Sequence, residues 1–405
     1  MFAVEIILDR QKIQKATLSH IKPIKYKFSM FEKTGKTPHL QLIYTTLALL
    51  LFGWMMVLST SVHMGFSHFQ KQGIFIVLGL IGGFIMLKLP LSFLKKYAPL
   101  FYILGTFLLA LVFVPGLGVS AKGATRWIDL GLFNFQPSEM MKLVVILFIA
   151  GYIVSHEKDV GRPWLGIFKT GAVLSVPILL ILFETDMGAT LLIVATVLAM
   201  LLVAGGYFKQ LAIISAGSVS LMVLALYLFP ESARAKRLFE FWQTELWANT
   251  SEKVIQTKQA LIGIARGDWT GTGVGAGIQK YSRLPESHND MIFAIIGEEL
   301  GVIGMLFVLL CFGYIIGKGF NIAKEALKHG KKYSSFVAFG ISIWLALQSG
   351  VNIAMNLGLI PIKGFTLPFI SYGGSSMIFA IVSIAILLRI DMENRVSFNK
   401  QKNYV

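Results

Sequence analysis

Residues 284–290 hold the most chemically suggestive cluster in the sequence, with a glutamate, a histidine and an aspartate directly ahead of a long apolar run. A carboxylate at the entry of an apolar helix is partly removed from water, which makes it a better proton acceptor. Asp290 is therefore a candidate general base, and Pro285, Glu286 and His288 accompany it. The alternative is that Asp290 only caps the helix that follows.

A pair of cations marks a second polar joint. Lys122 and Arg126 lie four residues apart beside Trp127, and such a pair suits a phosphate or pyrophosphate ligand. The alternative interpretation is anchoring at the membrane surface, where tryptophan and basic side chains also collect. Arg234 and Lys363 supply further cations in two other joints.

Acidic residues at the ends of two other apolar runs have structural explanations as well as functional ones. Glu139 and Lys142 stand at i, i+3 at the start of one run, so they can pair and lower the cost of burying either charge. Glu184 and Asp186 share a tight turn, where they could bind a metal or a substrate. Capping of the following helix is the favoured interpretation of that turn.

Three further segments predict pairing or close packing near the candidate base. Glycines crowd 271–277, but no strand precedes them and no Gly-Lys-Ser/Thr follows, so close packing or a ligand-facing turn is expected rather than a phosphate loop. Glu298 and Glu299 lie about two turns past Asp290, and acids at membrane depth are functional or paired. Proline, paired glycines and hydroxyls in 364–376 predict a broken or closely packed helix beside a cavity.

Composition places all these residues in a membrane protein. The chain has 405 residues, of which 55% are hydrophobic and only 14% are charged, whereas soluble domains are about 25% charged. Apolar runs of about 20 residues cross a bilayer, so the sequence predicts an all-α integral membrane protein with about ten transmembrane helices. The predicted spans are 40–60, 72–91, 98–118, 137–154, 167–184, 187–205, 209–229, 291–317, 334–357 and 367–389.

Domain organisation follows from these spans. We divide the chain into a basic cytoplasmic N-terminal extension (1–39), a membrane domain (40–390) and a cytoplasmic C-terminal tail (391–405). A large extracytoplasmic loop, 230–290, separates the seventh and eighth helices and contains Gln256 and Gln259.

The orientation follows from lysine and arginine in the short joints, because these residues concentrate on the cytoplasmic side. Both termini are predicted to lie inside, and this distribution explains the net charge of +16 without nucleic acid. The single cysteine, Cys311, excludes an intrachain disulfide and disfavours a cysteine metal site. The joints predicted to lie outside are near 61–71, 119–136, 184–186, 230–290 and 358–366.

Several motifs in register resemble the SEDS family (shape, elongation, division and sporulation). Within that family, Gln279-Lys280 and the stretch 363–368 are more similar to the division or sporulation branch than to the elongation branch. The turn at 184–188 departs from the family's usual Pro-Asp-Leu/Phe-Gly pattern, and Asn289 stands where threonine is common. The motifs that carry the resemblance are 284–290, 292–301, 368–376, Lys122-Gly123 with Arg126-Trp127-Ile128, and Gln136-Pro137.

The resemblance implies a ten-helix peptidoglycan glycosyltransferase that polymerises lipid II into a nascent glycan strand at the outer face of the bacterial cytoplasmic membrane. It also implies an obligate class B penicillin-binding transpeptidase as partner, and other divisome proteins at the septum. Asp290 would be the catalytic residue. The candidate substrate-binding residues are Lys122, Arg126, Glu139, Asp186, Arg234, Gln256, Gln259, Pro285, Glu286, His288, Lys363, Pro368, Ser371, Tyr372, Gly373, Gly374 and Ser375.

The predicted position of these residues on the outer side of the membrane limits which sugar donors the protein can use. Nucleotide sugars are cytoplasmic, so a sugar transfer outside needs a lipid-linked donor with a pyrophosphate leaving group. We expect Lys122, Arg126 and Lys363 to stabilise its charge, with a divalent cation (Mg²⁺ or Mn²⁺) as further support and no organic cofactor. No metal ligand is assigned. Two other functions stay open, a lipid II flippase and a non-catalytic scaffold for the transpeptidase.

Overall fold

The computed structural model describes residues 40–62, 65–121, 124–129, 131, 133–162, 164–228, 252–281 and 284–402. Within these residues the chain is mostly helical, and the predicted N-terminal extension lies outside them. The helices are α1 Leu40–Ser61, α2 Ser67–Lys88, α3 Leu91–Leu111, α4 Pro137–Ser155, α5 Glu157–Val160, α6 Leu165–Phe183, α7 Met187–Val203, α8 Phe208–Leu228, α9 Glu252–Gly267, α10 Ile292–Lys328, α11 Lys332–Asn356 and α12 Gly374–Lys402.

Each predicted apolar run coincides with a helix, and eight of the described helices are long and apolar enough to cross a membrane. These eight are α1, α2, α3, α4, α6, α10, α11 and α12. Helix α7 is apolar but has 17 residues, and α8 has 21. The protein is therefore a multi-pass membrane protein, whereas the count of about ten crossings stays a prediction.

Several helix ends differ from the predicted spans, and the largest difference is that α12 continues to Lys402 rather than ending at 389. Helix α3 begins at Leu91 instead of 98, because Lys95 and Lys96 can extend from a helix to water along their alkyl stems. Helix α10 continues from the membrane into a charged segment and ends at Lys328 rather than 317. Helix α12 begins only at Gly374, since the preceding segment is not helical.

A small antiparallel sheet fills the joint between α3 and α4. Its strands are β1 Gly118–Ala121, β2 Ala124–Asp129 and β3 Asn134–Phe135, in the order β1-β2-β3. Val119 pairs with Trp127, and such β-branched and aromatic residues favour strands. The all-α prediction holds for the bundle and missed this short sheet.

Helix α10 bends at Gly301, whose φ of 65° and ψ of −163° lie outside the helical region. Glycine adopts this conformation readily and other residues do not. A Cβ at this position would also lie 2.5 Å from the Gly271 nitrogen and from the Trp269 oxygen. The bend therefore requires glycine, and it brings the loop after α9 against the main chain of α10.

The joints between helices gather at two ends of the bundle. At one end the Gln136 main-chain nitrogen donates to Ser375 Oγ. At the other end Glu393 of α12 accepts from the Leu91 nitrogen, and Lys331 donates to the Glu393 carbonyl. The joints predicted to be extracytoplasmic meet at the first end, which we call the outer end, and the second is the inner end. Helix α2 packs along α12, and α4 lies among α3, α7, α11 and α12.

Candidate active site

Asp290 lies at the outer end, directly before α10, and is 6% exposed. Helix α10 begins at Ile292, and its cap position is Met291, which makes no side-chain cap. The alternative that Asp290 caps this helix is therefore wrong. A Cβ on Gly364 would lie 3.8 Å from Oδ2 of Asp290, so the carboxylate faces the joint between α11 and α12.

The non-helical segment before α12 forms a turn against the residues that precede α10. The Tyr372 nitrogen donates to the His288 carbonyl over 2.9 Å, and Ser371 Oγ donates to the Asn289 carbonyl over 2.6 Å. Ser371 Oγ also accepts from the Leu367 nitrogen over 2.7 Å. The predicted broken helix is confirmed, and it holds the main chain immediately before Asp290.

Three buried amide side chains on one face of α11 support both segments. Gln348, Asn352 and Asn356 stand four residues apart and are 2%, 0% and 0% exposed. Nδ2 of Asn352 and Nδ2 of Asn356 each donate to the Asp290 carbonyl over 2.9 Å. Nε2 of Gln348 donates to the Thr366 carbonyl over 3.1 Å. We call these three residues the amide face of α11.

Helix α2 contributes an imidazole to a ring cluster beside this turn. The His68 ring lies 4.5 Å from the His288 ring and 4.9 Å from the Tyr372 ring, measured between centroids. Burial raises the pKa of the Tyr372 hydroxyl. One turn further along α2, Gln72 donates to the Ser371 carbonyl over 3.1 Å. Three separate parts of the chain therefore build one wall next to Asp290.

A second group of predicted residues joins the first turns of α4, α7 and α12. Asp186 caps α7 by accepting from the Ala189 nitrogen over 3.1 Å, which confirms the capping interpretation. Its other oxygen accepts from Gln136 Nε2 and from Ser138 Oγ, each over 3.2 Å. The Gln136 nitrogen in turn donates to Ser375 Oγ over 2.9 Å. Asp186 and Ser375 thus hold three helix starts together.

Arg126 braces the turn after α6. Its Nε donates to the Glu184 carbonyl over 3.1 Å, and one terminal nitrogen donates to the Thr185 carbonyl over 2.9 Å. Thr185 has a φ of 60°, a strained value for a β-branched residue. Lys122 and Arg234 lie outside the described residues.

Glu139 and Lys142 of α4 form the predicted ion pair, with 2.8 Å between Nζ and Oε2. Nζ of Lys142 also donates to Oε1 of Gln348 over 2.9 Å, and Trp344 Nε1 donates to the same oxygen over 2.8 Å. Through Gln348 this pair is connected to Thr366, which directly precedes Leu367 in the non-helical segment before α12. Glu139 is thus committed to a buried network.

The remaining predicted residues surround these contacts. Nε2 of Gln256 donates to the Pro285 carbonyl over 2.9 Å, so α9 supports the segment that carries Asp290. Glu286 adopts a φ of 57° and accepts from Asn289 Nδ2 over 3.3 Å. Of the others, Gln259 and Gly373 are half-buried, Lys363 is exposed, Pro368 is buried, and Gly374 packs against the Phe75 ring.

Comparison with known proteins agrees with this arrangement. The profile of the FtsW/RodA/SpoVE family, described as a cell cycle protein, matches residues 40–396. The chain belongs to the FtsW/RodA/SpoVE family. This is the SEDS family that the sequence motifs predicted.

Curated relatives support the membership in the FtsW/RodA/SpoVE family. A probable peptidoglycan glycosyltransferase FtsW of Legionella pneumophila is 39% identical over 383 residues, covering 92% of this chain and 94% of the relative. One of Nitrosococcus halophilus is 38% identical and covers 89% and 94%.

Two solved structures share the fold. A chain of a peptidoglycan synthase complex that coordinates polymerization and crosslinking has a TM-score of 0.72 at 24% identity, covering 88% of this chain and 98% of that one. The rod shape determining protein RodA of Thermus thermophilus has a TM-score of 0.65 at 24% identity, covering 89% and 98%.

In this member of the FtsW/RodA/SpoVE family, the first of two adjacent buried glutamates is held by the last turn of α9 and by the loop that follows it. Oε1 of Glu298 lies 2.8 Å from the Arg266 guanidinium. The Ile278 and Gln279 nitrogens donate to its carboxylate over 2.8 and 3.2 Å. Of the two predicted alternatives for Glu298, function or pairing, the structure shows pairing, and the residue is 0% exposed.

Glu299 binds α1 and the same loop together. Its carboxylate lies 2.7 Å from Nζ of Lys280 and accepts from Ser59 Oγ over 2.7 Å and from the Gly275 nitrogen over 2.9 Å. Both ends of the ion pair are almost fully buried. A Cβ on Gly277 would lie 2.9 Å from Oε1 of Glu299, which confirms close packing of the glycine-rich segment.

Sequence reasoning missed His68, Gln72 and the amide face of α11. A signal existed for the amide face, because amide residues at i, i+4 and i+8 in an apolar helix share one side. No comparable signal existed for His68 or Gln72, since a polar residue at the start of a membrane helix normally faces water.

No group of three or more histidine, cysteine, aspartate or glutamate side chains suited to a metal ion occurs within the part of the chain that the structure describes. The described side chains therefore do not fit a resident metal site.

Glu184 differs from its neighbour Asp186. It is 1% exposed, and neither carboxylate oxygen has a hydrogen-bond partner among the described residues. Burial raises the pKa of Glu184 to about 8, with Asp186 as a second cause and Arg126 acting in the opposite direction. The folded protein therefore favours the protonated acid at neutral pH.

Replacing Glu184 by glutamine should stabilise the protein more at pH 8 than at pH 5. The unfolded chain releases this proton near the ordinary value of 4.5 and the folded protein only near 8, so the carboxyl lowers the free energy of unfolding progressively across that window. Glutamine removes this dependence. Thermal unfolding in detergent across a pH series measures it, with Glu325→Gln at an exposed position of α10 as control. A pH-independent difference would contradict the assignment.

Proposed function

We propose that this protein is a peptidoglycan glycosyltransferase that polymerises lipid II at the outer face of the cytoplasmic membrane during septal wall synthesis. The observation that carries the proposal is Asp290 itself, which is buried at the outer end and whose main-chain carbonyl is held by two amides of α11. Membership of a family whose curated relatives are probable peptidoglycan glycosyltransferases supports the reaction class.

In the proposed reaction Asp290 acts as the general base. Its carboxylate accepts the proton of the 4-hydroxyl of the acceptor N-acetylglucosamine, and that oxygen attacks the anomeric carbon of the growing chain's N-acetylmuramic acid. The bond from that carbon to the pyrophosphate oxygen breaks, and polyprenyl diphosphate leaves with the electron pair. Attack from the opposite face inverts the α linkage to a β-1,4 bond.

The leaving pyrophosphate develops negative charge, which cations near it stabilise. We propose Lys122, Arg126 and Lys363 for this role. Lys363 supports it by being exposed one residue before Gly364, which adjoins the Asp290 carboxylate. Because the described side chains do not fit a metal site, a divalent cation is proposed only as a companion of the substrate pyrophosphate.

We propose a membrane-embedded class B penicillin-binding transpeptidase as partner, with other divisome proteins recruiting the pair to the septum. The fold similarity to a chain of a peptidoglycan synthase complex supports a partner of this kind. The basic joints and termini support an orientation with both ends of the chain in the cytoplasm.

The test is polymerisation by the purified protein. We expect the protein, incubated with labelled lipid II in detergent with and without a class B transpeptidase, to produce glycan strands that lysozyme degrades. Lipid movement across vesicles without strands would support a flippase instead. Absence of both, with intact binding of the transpeptidase, would support the scaffold and contradict the enzyme.

A further inference from the structure

The side chain of Asn356 stands between two main-chain groups that bond to each other in an ordinary helix. In an α-helix the nitrogen of Ala294 donates to the carbonyl four residues earlier, which belongs to Asp290. Here Asn356 Nδ2 donates to the Asp290 carbonyl over 2.9 Å, and Asn356 Oδ1 accepts from the Ala294 nitrogen over 3.0 Å. The Ala294 nitrogen shares its hydrogen with the Met291 carbonyl over 3.1 Å.

The amide therefore satisfies the groups that a longer helix would pair internally. Helix α10 begins at Ile292, two residues after Asp290. With both groups already bonded to Asn356, a direct bond from the Ala294 nitrogen to the Asp290 carbonyl would only replace existing hydrogen bonds, and it would have to expel a fully buried amide. Leaving a buried amide without its hydrogen bonds is costly, so this contact favours the observed helix start.

Asn352 reinforces the same geometry. Its Nδ2 donates to the Asp290 carbonyl over 2.9 Å and also to the Phe365 carbonyl. One carbonyl thus accepts from two amides, and the second amide connects it to the joint that contains Gly364. The Asp290 main chain is held from α11 and from the α11–α12 joint at once.

We infer that Asn356 is a positioning residue for the reaction proposed above: it fixes the start of α10 and thereby the direction of the Asp290 carboxylate. A helix extended through Asp290 would turn its side chain by changing the backbone dihedrals of that residue. Because about 1 Å of misplacement can cost on the order of 100-fold in rate, the amide acts on turnover more than on substrate affinity. The inference rests on the proposed function.

The experiment compares Asn356→Leu with Ser349→Ala in the lipid II polymerisation assay. Ser349 lies on the same helix, is 3% exposed, and bonds only to carbonyls of its own turn among the described residues. Leucine has a similar size and neither a donor nor an acceptor. We expect kcat to fall about 10- to 100-fold for Asn356→Leu with KM within about threefold, and Ser349→Ala to match the wild type.

Asn356→Asp gives a second measurement, the pH dependence of kcat, which would not change if Asn356 only contributed to packing. A carboxylate keeps the acceptor for the Ala294 nitrogen and loses the donor to the Asp290 carbonyl, whereas a protonated carboxyl supplies both. The ratio of variant to wild-type kcat should therefore rise as the pH falls. The ratio removes the titration of groups whose pKa is the same in both proteins.

Several results would overturn the inference while leaving the proposed function intact. Wild-type strands together with unchanged kcat for Asn356→Leu would do so, and so would equal losses for Asn356→Leu and Ser349→Ala. If Asn356→Leu fails to fold, a pH-independent kcat ratio for Asn356→Asp would overturn it. If the wild-type protein makes no glycan strands, both the proposed function and the inference that rests on it are contradicted.

Discussion

Replacing Asp290 by asparagine is expected to reduce polymerisation by about 10²- to 10⁴-fold, the contribution of a positioned general base. Asparagine has nearly the same shape, and the two amides of α11 bond to the main-chain carbonyl, which the substitution leaves in place. The loss should therefore appear in kcat, with an unchanged thermal midpoint. Strand formation from labelled lipid II measures the rate.

The matched control for this variant is Asp268→Asn. Asp268 is an exposed carboxylate in the loop after α9, and its φ of 47° suits asparagine equally well. We expect it to retain wild-type rates. Polymerisation at the wild-type rate by Asp290→Asn would remove this residue from the mechanism and favour another base.

Of the variants proposed for this protein, Lys280→Met should show the largest decrease in the free energy of unfolding. It leaves the Glu299 carboxylate buried without its cation, although Ser59 and Gly275 still donate to it. Breaking a buried ion pair by removing one partner costs about 3–5 kcal/mol. Unfolding of the purified protein in a denaturant series measures the change in the free energy of unfolding.

Two comparisons make this prediction specific. Lys169→Met breaks a more exposed ion pair with Asp159 and should cost less than about 1 kcal/mol. The double variant Lys280→Met with Glu299→Met removes both charges and should recover part of the loss, because apolar replacement of a buried pair is often tolerated. Equal losses for Lys280→Met and Lys169→Met would show that burial does not strengthen the pair.

The bundle could be predicted from hydropathy because each apolar run had to become a helix in a bilayer. The ends could not. Hydropathy does not predict that α10 continues as a helix through the charged residues up to Lys328. It also does not predict that α12 begins only at Gly374. Pairing of Glu139 with Lys142 was predictable because three residues on a helix bring side chains together.

The candidate site was predictable only in part. Asp290 could be found because its type and its place before an apolar run carry the signal. The contact of Asn356 with the Asp290 carbonyl joins residues 66 positions apart, and that of Gln72 with Ser371 joins residues 299 apart. Sequence periodicity places side chains on a face and does not say which face meets which.

The packing of α2 along α12 has a consequence for how the protein is made. A chain emerges from the ribosome N-terminus first, so α2 enters the membrane long before the helix that covers it. The Gln72 side chain gains two of its hydrogen-bond partners, the Ser371 carbonyl and the Gly373 nitrogen, only when the end of the chain has been inserted. A nascent chain that already contains Asp290 therefore lacks one wall of the candidate site. We therefore expect the proposed reaction to require the complete chain, because the site is assembled only when the last helix is in place.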